Sequence, residues 1–322
     1  MRPIKVFQPL DWDEVFYLLE LPVPTTRSSV LDRLQQERFI TRNGSYYDIT
    51  NLGALLFARN LIAFPQLATK AIRVILYAGS SRIKTVHDYT NSAGYALAFE
   101  GLASYINSNL ADKHRVKKSR SGTAAPLYPE LALNELIANA IIHQNFAVTS
   151  SSPMVEVFDN RIEISSPGRP LIDTDRFLDH TPQSRNKTLA GIMRRLNIGE
   201  ERGIGIDKVV SECEEHRLPP PEFTVGENST LAVLYSPVEF DKMSQQDKIR
   251  ACYQHASLKY MSDDLMSYHS LRERLDIEKA DFRITSRIID DTIKAGFIRP
   301  CDPTDKSRRH ARYLPFWASL LP

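Results

Sequence analysis

Hydrophobic and polar positions alternate in short helical and strand-like periods along the whole chain. Near the N-terminus, apolar residues at helical spacing predict two short helices, one over 11–20 and one beginning at Thr26. The run over residues 39–50, with Asn43-Gly44 as its turn, predicts a hairpin. Helix, helix and hairpin together predict a small winged-helix-like unit over residues 1–65.

The middle of the chain mixes strand and helix patterns. Strands are predicted at 71–78, 154–165 (a pair joined at Asp159-Asn160) and 231–235, and helices at 94–110, 130–145, 188–196 and 203–210. The tight hairpin favours an antiparallel sheet over a doubly wound parallel one. We therefore expect an α+β layer over residues 66–240.

The last section, residues 241–322, returns to helical spacing. A short helix is predicted over 270–275 and a longer one over 280–295, which Gly296 ends. Two strand-like runs around a polar, basic segment follow, which is the pattern of a winged helix-turn-helix. From Lys242 to the end the chain carries 15 Lys and Arg against 11 Asp and Glu, whereas the whole chain has a net charge of only +2. Any attraction to nucleic acid is therefore expected to be local.

Composition narrows the class of protein. With 322 residues, 42% hydrophobic and 25% charged, the chain has the make-up of a soluble globular protein with two or three domains. No apolar run approaches the ~20 residues that span a bilayer, and the N-terminus lacks the features of a signal peptide. The three cysteines stand far apart without metal-ligand spacing, which favours a reducing cytoplasm and gives no support to a transition-metal site.

One predicted helix carries polar residues at a regular interval. Glu135, Asn139 and His143 are each four residues apart, so they lie on one face among Leu, Ile and Ala. A buried carboxylate and carboxamide need partners, either in a structural hydrogen-bond network or in a cleft that binds a charged ligand. A carboxylate and a carboxamide one turn apart suit Mg²⁺ and an activated water. His143 fits a phosphate contact or a hydrogen-bonded structural role.

Three further pieces follow this helix along the chain. The strand Ile162-Glu-Ile-Ser-Ser-Pro-Gly168 runs into a glycine turn, Arg185-Asn186-Lys187 precedes a helix, and Gly203-Ile-Gly205 opens another. Glycines at a helix N-terminus let backbone N–H groups approach phosphate, and Arg and Lys can contact phosphate oxygens. Each piece alone also fits an ordinary turn or helix start. The four pieces in this order favour a phosphate-binding site.

Other well-known catalytic motifs are absent from the sequence. It contains no Gly-Lys-Ser or Gly-Lys-Thr, which excludes a Walker-type phosphate loop and with it a helicase motor. It also lacks a Gly-x-Ser-x-Gly elbow and a catalytic cysteine motif.

The order of these motifs resembles the GHKL ATPase superfamily, the Bergerat fold of gyrase, the Hsp90 chaperone, histidine kinases and the MutL repair protein. The resemblance implies a two-layer α/β sandwich that binds ATP and Mg²⁺, flanked by the two winged-helix units. It implies that Asn139 holds Mg²⁺, that Glu135 orients or activates the hydrolytic water, and that Thr230 joins the adenine site. The remaining expected nucleotide contacts are His143, Ser166, Gly168, Arg185, Asn186, Gly203 and Gly205.

A narrower resemblance is to a bacterial family described as ATP-binding transcriptional regulators, some of them mislabelled RecG-like helicases. It rests on Asn51-Leu-Gly-Ala-Leu-Leu-Phe-Ala, the motifs above and Ala311-Arg-Tyr-Leu-Pro-Phe-Trp-Ala. Many members begin with a Schlafen AlbA-like domain, and this chain starts after it, so that domain is expected as a separate partner or not at all. Ser166 stands where the superfamily has the adenine-reading Asp, and Pro170 stands at its second glycine.

The predicted winged helix-turn-helix offers basic residues in two places. Its second helix carries Arg283 and Arg287, which could contact bases. Its wing carries Lys306, Arg308, Arg309 and Arg312, which could contact phosphates. The alternative is a dimerisation or docking module. Acidic residues on the same helix weaken the case for DNA, but the pattern as a whole favours DNA over that alternative.

Three functional hypotheses follow from the sequence. The first is a DNA-binding transcriptional regulator whose ATP–Mg²⁺ site biases its winged helices. The second is a slow ATPase subunit of a defence or toxin–antitoxin-like complex, and the third is a scaffold with a degenerate nucleotide site. The expected partners are DNA, a second copy of the chain and an AlbA-like protein, with no membrane association.

Overall fold

The computed structural model describes residues 3–114, 127–181, 183–199, 205–278, 281–302 and 311–319. It has an α+β fold, as predicted, with a six-stranded sheet at its centre. The N-terminal elements are α1 (Pro3–Val6), α2 (Trp12–Leu18), α3 (Arg27–Gln36), β1 (Ile40–Asn43), β2 (Tyr46–Ile49) and α4 (Asn51–Phe57).

The N-terminal hairpin turns one residue later than predicted. Asn43 pairs with Tyr46, so the turn residues are Gly44 and Ser45 instead of Asn43-Gly44. Gly44 has φ +60°, and a two-residue turn of this kind favours glycine at its first central position.

The central elements surround the sheet. They are β3 (Ile72–Tyr77), β4 (Thr85–Asn91), α5 (Tyr95–Phe99), α6 (Leu102–His114), α7 (Glu130–Ile142), β5 (Met154–Val157), β6 (Arg161–Pro167), α8 (Lys187–Arg195), α9 (Gly205–Glu215), β7 (Glu222–Val225) and β8 (Ser229–Tyr235). The strand order is β4-β3-β5-β6-β8-β7. The expectation of an antiparallel sheet is wrong for one pair of strands, because β3 and β5 run parallel. The chain between these two strands contains α5, α6 and α7, which is long enough for the crossover that a parallel pair requires.

The sequence patterns missed two strands of this sheet and one helix break. β4 and β7 are edge strands with exposed or half-exposed side chains, so neither shows a clear apolar alternation. The single helix predicted over 94–110 is two helices, α5 and α6. They part at Gly101, whose φ of +74° lies outside the helical region.

One hydrophobic core joins the N-terminal elements to the sheet. It runs from Phe39 and Phe57, whose ring centroids lie 5.0 Å apart, to Leu133 and Ile162. Arg33 and Arg195 both donate to the carboxylate of Glu37, at 2.8 and 2.7 Å. The hydrogen bond from Arg195 is the main reason that the pKa of Glu37 is lowered.

The C-terminal elements form a second hydrophobic core around a small sheet. They are α10 (Gln245–Met261), β9 (Met266–Ser267), α11 (Tyr268–Arg274), α12 (Phe282–Lys294), β10 (Ile298–Pro300) and β11 (Arg312–Pro315). The strand order is β10-β11-β9, and the sequence patterns missed the two-residue β9. Ser244 begins α10 with a capping box to Asp247.

Polar contacts join α10 and α11 to the central elements. His255 Nδ1 lies 3.0 Å from Glu214 Oε2, and Arg274 Nε lies 3.2 Å from Glu214 Oε1. Gln254 Nε2 donates to the Pro221 carbonyl at 2.8 Å. Since Glu214 lies near the C-terminal end of α9, this helix connects the C-terminal elements to the region around Gly205. Among the helices that the structure describes, none has the length and apolar character to cross a bilayer.

Candidate functional site

A cavity of about 430 Å³ lies between α7, the sheet and the segment that follows β6. Its walls come from α7, β6, β7, β8, α8 and the first turn of α9. Residues 170–181, which we name the covering segment, contribute Pro170, Leu171, Ile172, Phe177 and His180. The lining is mainly apolar with a few polar side chains, which is typical of a small-molecule site.

The predicted carboxylate–carboxamide pair forms one wall. Asn139 Nδ2 donates to Glu135 Oε1 at 3.1 Å, as the spacing of one helical turn allows. Glu135 is 7% exposed, and this burial raises its pKa, against the lowering effects of the Asn139 hydrogen bond and the Lys208 charge. A raised pKa makes the carboxylate a better proton acceptor. Because the Asn139 amide nitrogen is used, its carbonyl oxygen is left as a hard ligand, the type that Mg²⁺ prefers.

Gly205 brings the first turn of α9 against the Glu135 carboxylate. A Cβ at position 205 would lie 1.9 Å from Glu135 Oε1 and 2.6 Å from Glu135 Cδ. Any side chain there would therefore displace the carboxyl group. Gly205 and Ile206 line the cavity at the N-terminus of an 11-residue helix, where the helix dipole favours an anion.

Two hydroxyl groups lie side by side on β6 and β8. Ser166 is paired with Thr230 across the strands. Ser166 Oγ donates to the Ala140 carbonyl at 2.8 Å, and Thr230 Oγ1 donates to the Gly168 carbonyl at 2.9 Å. Each hydroxyl donates its hydrogen bond to a carbonyl group, so its oxygen can still accept a hydrogen bond from a ligand.

Gly168 is required by the turn after β6. Its φ is +97°, and a Cβ there would lie 2.6 Å from Asn145 Cβ. Its backbone N–H donates to the Asn228 carbonyl at 2.7 Å, which fixes the turn beside Thr230. Gly168 itself does not line the cavity. In the described structure it shapes the turn at the rim of the cavity.

Of the remaining predicted nucleotide contacts, one lines the cavity, two bind backbone carbonyls and one lies outside the described residues. His143 lines the cavity, and its pKa is lowered mainly by burial and further by the Arg185 charge. Arg185 Nη2 donates to the Arg169 carbonyl at 2.8 Å. Asn186 Nδ2 donates to the carbonyls of Ile142 and Gln144, at 2.8 and 2.7 Å. Arg185 and Asn186 thus bind backbone at the rim, and Gly203 lies outside the described residues.

Sequence reasoning missed several cavity residues. Arg194 lines it from α8, together with Lys187 of the predicted Arg185-Asn186-Lys187 piece. The two residues are seven positions, or two helical turns, apart, and this spacing is a signal that could have revealed Arg194. Phe177 and Phe223 line it as well, with ring centroids 5.4 Å apart in an edge-to-face contact. No local pattern distinguishes these two phenylalanines from core residues.

The predicted DNA contacts are only partly covered by the structure. Arg283 and Arg287 are exposed on α12, and the Arg287 side chain is 82% exposed with Nε 4.0 Å from Asp291 Oδ2. Arg312 is exposed at the start of β11. Lys306, Arg308 and Arg309 lie outside the described residues.

Comparisons with known proteins agree with the central part of this picture. Residues 150–234 match the family model HATPase_c_4, described as "Putative ATP-dependent DNA helicase recG C-terminal". This match indicates an ATPase-like domain, which contains β6, β8 and Gly205 of the cavity. The chain as a whole is similar to the DIP2311 protein from Corynebacterium diphtheriae, with 13% identity and a TM-score of 0.50 over 94% of this chain. The alignment spans 66% of that protein, and the likeness concerns the fold alone. A comparison with curated proteins gives no match.

Proposed function

We propose that the cavity binds ATP together with Mg²⁺. The observation that carries the proposal is the buried Glu135–Asn139 pair held against the first turn of α9 at Gly205. A helix N-terminus suits phosphate, and the side-chain oxygen of Asn139 beside it suits a phosphate-bound Mg²⁺. The ATPase-like match over residues 150–234 supports the same ligand class.

Different residues of the cavity would contact different parts of the ligand. Asn139 would hold Mg²⁺, which would neutralise part of the phosphate charge when bound. The backbone of the first turn of α9, with Lys187 and Arg194, would take phosphate oxygens. Ser166 and Thr230 would accept hydrogen bonds from an amino group of the base. Because neither hydroxyl carries a charge, base selectivity would be lower than with a carboxylate.

Hydrolysis would depend on Glu135. Its carboxylate would take the proton of a water molecule as that water forms a bond to the γ-phosphorus. The bond between the γ-phosphorus and the bridging oxygen would break, which yields ADP and phosphate. A raised pKa and a position beside the first turn of α9 suit this role. A weak ATPase is therefore the second candidate, and it uses the same site.

Calorimetric titration of the purified chain tests the proposal. The titrant is a non-hydrolysable ATP analogue with Mg²⁺, and micromolar affinity is the expected result. The same analogue with EDTA is the matched condition, and weaker binding there would show that the metal contributes. No heat at millimolar nucleotide would overturn the proposal and leave the scaffold hypothesis.

We also propose that the C-terminal elements bind DNA and that nucleotide biases this binding. Exposed Arg283 and Arg287 on α12 lie in the helix that follows α11, and Arg312 lies on the adjoining sheet. This arrangement suits a helix in the major groove with a strand beside the phosphate backbone. A homodimer and an AlbA-like partner are further proposals that rest on family resemblance.

Arg287→Ala should weaken binding to a short random-sequence DNA duplex. If the Arg287 guanidinium contacts a phosphate, its removal should reduce the slope of log affinity against log salt by about 1. Fluorescence anisotropy at several salt concentrations measures both quantities. Lys259→Ala on α10 is the control, because it removes one positive charge from the same unit at a different helix. Equal losses in the two variants would contradict a specific role for α12.

A further inference from the structure

A chain of two hydrogen bonds runs from the C-terminal elements to the covering segment of the cavity. Trp317 Nε1 donates to the Tyr253 hydroxyl oxygen at 3.1 Å. The Tyr253 hydroxyl in turn donates to the backbone carbonyl of Asp175. Trp317 lies two residues after β11, and Tyr253 lies on α10. The chain therefore connects the small C-terminal sheet to residues that cover the cavity.

Asp175 belongs to a compact turn that carries a cavity residue. The turn Thr174–Arg176 is held internally, since Arg176 N–H donates to the Asp173 carbonyl at 3.0 Å. Asp173 Oδ1 also accepts from Asp175 N–H at 3.1 Å. Phe177, the next residue, lines the cavity and contacts Phe223. A shift of the Asp175 carbonyl would therefore move the Phe177 ring.

Tyr253 is held firmly enough to act as an anchor. The residue is 6% exposed, and its ring lies 5.2 Å from the Phe297 ring and 6.0 Å from the Phe316 ring. Burial raises the pKa of Tyr253 to about 12, so its hydroxyl stays protonated and able to donate at neutral pH. The hydroxyl uses its one proton on Asp175 and accepts from Trp317.

We propose that Tyr253 is a positioning residue for the nucleotide cavity, holding Phe177 in place through the Asp175 carbonyl and linking that position to the C-terminal sheet through Trp317. The effect of Tyr253 on nucleotide binding rests on the proposed function. If nucleotide and DNA each bind better to one arrangement of this hydrogen-bond chain, each raises the affinity of the other by the same factor.

Tyr253→Phe tests the anchor because it removes the hydroxyl and keeps the packed ring. Tyr260→Phe is the matched control: it also removes a tyrosine hydroxyl hydrogen bond within the C-terminal elements, an exposed one to the Ser319 carbonyl at 3.0 Å. Tyr260 packs edge-on against Trp317 at 5.3 Å, and among the described residues its hydroxyl donates to Ser319 and not to the covering segment. Thermal unfolding of both variants checks that the fold is retained.

The first readout is amide hydrogen exchange of the ligand-free protein. The backbone N–H groups of Arg176, Phe177 and His180 are hydrogen-bonded within the covering segment, so their exchange reports its order. Faster exchange over residues 176–180 is expected in Tyr253→Phe and not in Tyr260→Phe. Unchanged exchange in both variants, or an equal increase in both, would overturn the anchor.

The second readout is affinity for the non-hydrolysable ATP analogue with Mg²⁺. Loss of one hydrogen bond should weaken binding by about 3- to 10-fold in Tyr253→Phe, with little change in Tyr260→Phe. If the wild-type protein binds the analogue and Tyr253→Phe binds it equally well, the positioning role is wrong while the proposed function stands. If the wild-type protein binds no nucleotide, the proposed function fails, and with it the ligand role of Tyr253.

Discussion

Asn139→Ala is expected to lower the affinity for ATP and Mg²⁺ by about 100-fold, the upper range for disturbing a metal site. Two effects combine in this change. The cavity loses the carboxamide oxygen proposed to hold Mg²⁺, and Glu135 loses the hydrogen bond that Asn139 Nδ2 donates at 3.1 Å. The carboxylate is then left buried with one partner fewer, so its pKa should rise further.

Titration calorimetry with and without Mg²⁺ measures the result. Asn134→Ala is the matched control, since it makes the same replacement in α7 at a half-buried position outside the cavity wall. It should leave affinity within about twofold, because it alters only helix propensity. If Asn139→Ala kept the Mg²⁺-dependent affinity of the wild type, Asn139 would not be the metal ligand.

Much of this site could be predicted from local spacing. A four-residue interval places Glu135, Asn139 and His143 on one side of a helix whatever the rest of the fold does, and all three line the cavity. The glycine at 205 was predicted from its position at a helix start. Its closest contact, with Glu135, is between residues 70 positions apart and has no local signature.

Other parts depend on contacts that a local pattern does not contain. Asn186 resembles a ligand contact in the sequence, but its amide donates to two carbonyls at the C-terminal end of α7. Phe177 and Phe223 become cavity walls only because the covering segment lies beside β7. Both edge strands of the central sheet pair on one side only, so their side chains lack the apolar alternation that reveals a strand.

The N-terminal prediction illustrates the same limit at larger scale. Residues 1–65 have the helix and hairpin pattern of a small separate unit, and the helices and hairpin are present. Their apolar faces pack into the core that also contains Leu133 and Ile162. A sequence pattern shows that a face is apolar, and it does not show which element covers that face.

Glu135→Gln is expected to stabilise the ligand-free protein while removing turnover. Glutamine keeps the shape of the side chain and an oxygen that can accept from Asn139, but it carries no charge. The wild-type pKa is raised by burial, so the folded protein holds this proton to a higher pH than the unfolded chain does. The contribution of Glu135 to stability is therefore greatest below its unfolded pKa and falls as pH rises through the folded pKa.

At neutral pH the buried carboxylate thus lowers stability, and its removal should raise the free energy of unfolding by about 1 kcal/mol. Thermal unfolding as a function of pH measures this, and the difference between variant and wild type should shrink below about pH 4. Glu130→Gln, at the exposed first turn of α7, is the control and should give no such gain. A loss of stability in Glu135→Gln at pH 7 would contradict the argument.

The same variant separates a sensor from an ATPase. Without a proton acceptor, any turnover should fall by about 100-fold or more, whereas binding of the nucleotide should persist. If wild-type turnover is measurable and Glu135→Gln abolishes it, Glu135 is the general base of a slow ATPase. If wild-type turnover is absent and the variant retains nucleotide-dependent DNA binding, ATP acts as a ligand that is bound and not consumed. The charge on Glu135 would then lower the stability of the folded protein without contributing to catalysis. The presence of a glutamate at this position would need another explanation, such as orientation of Asn139.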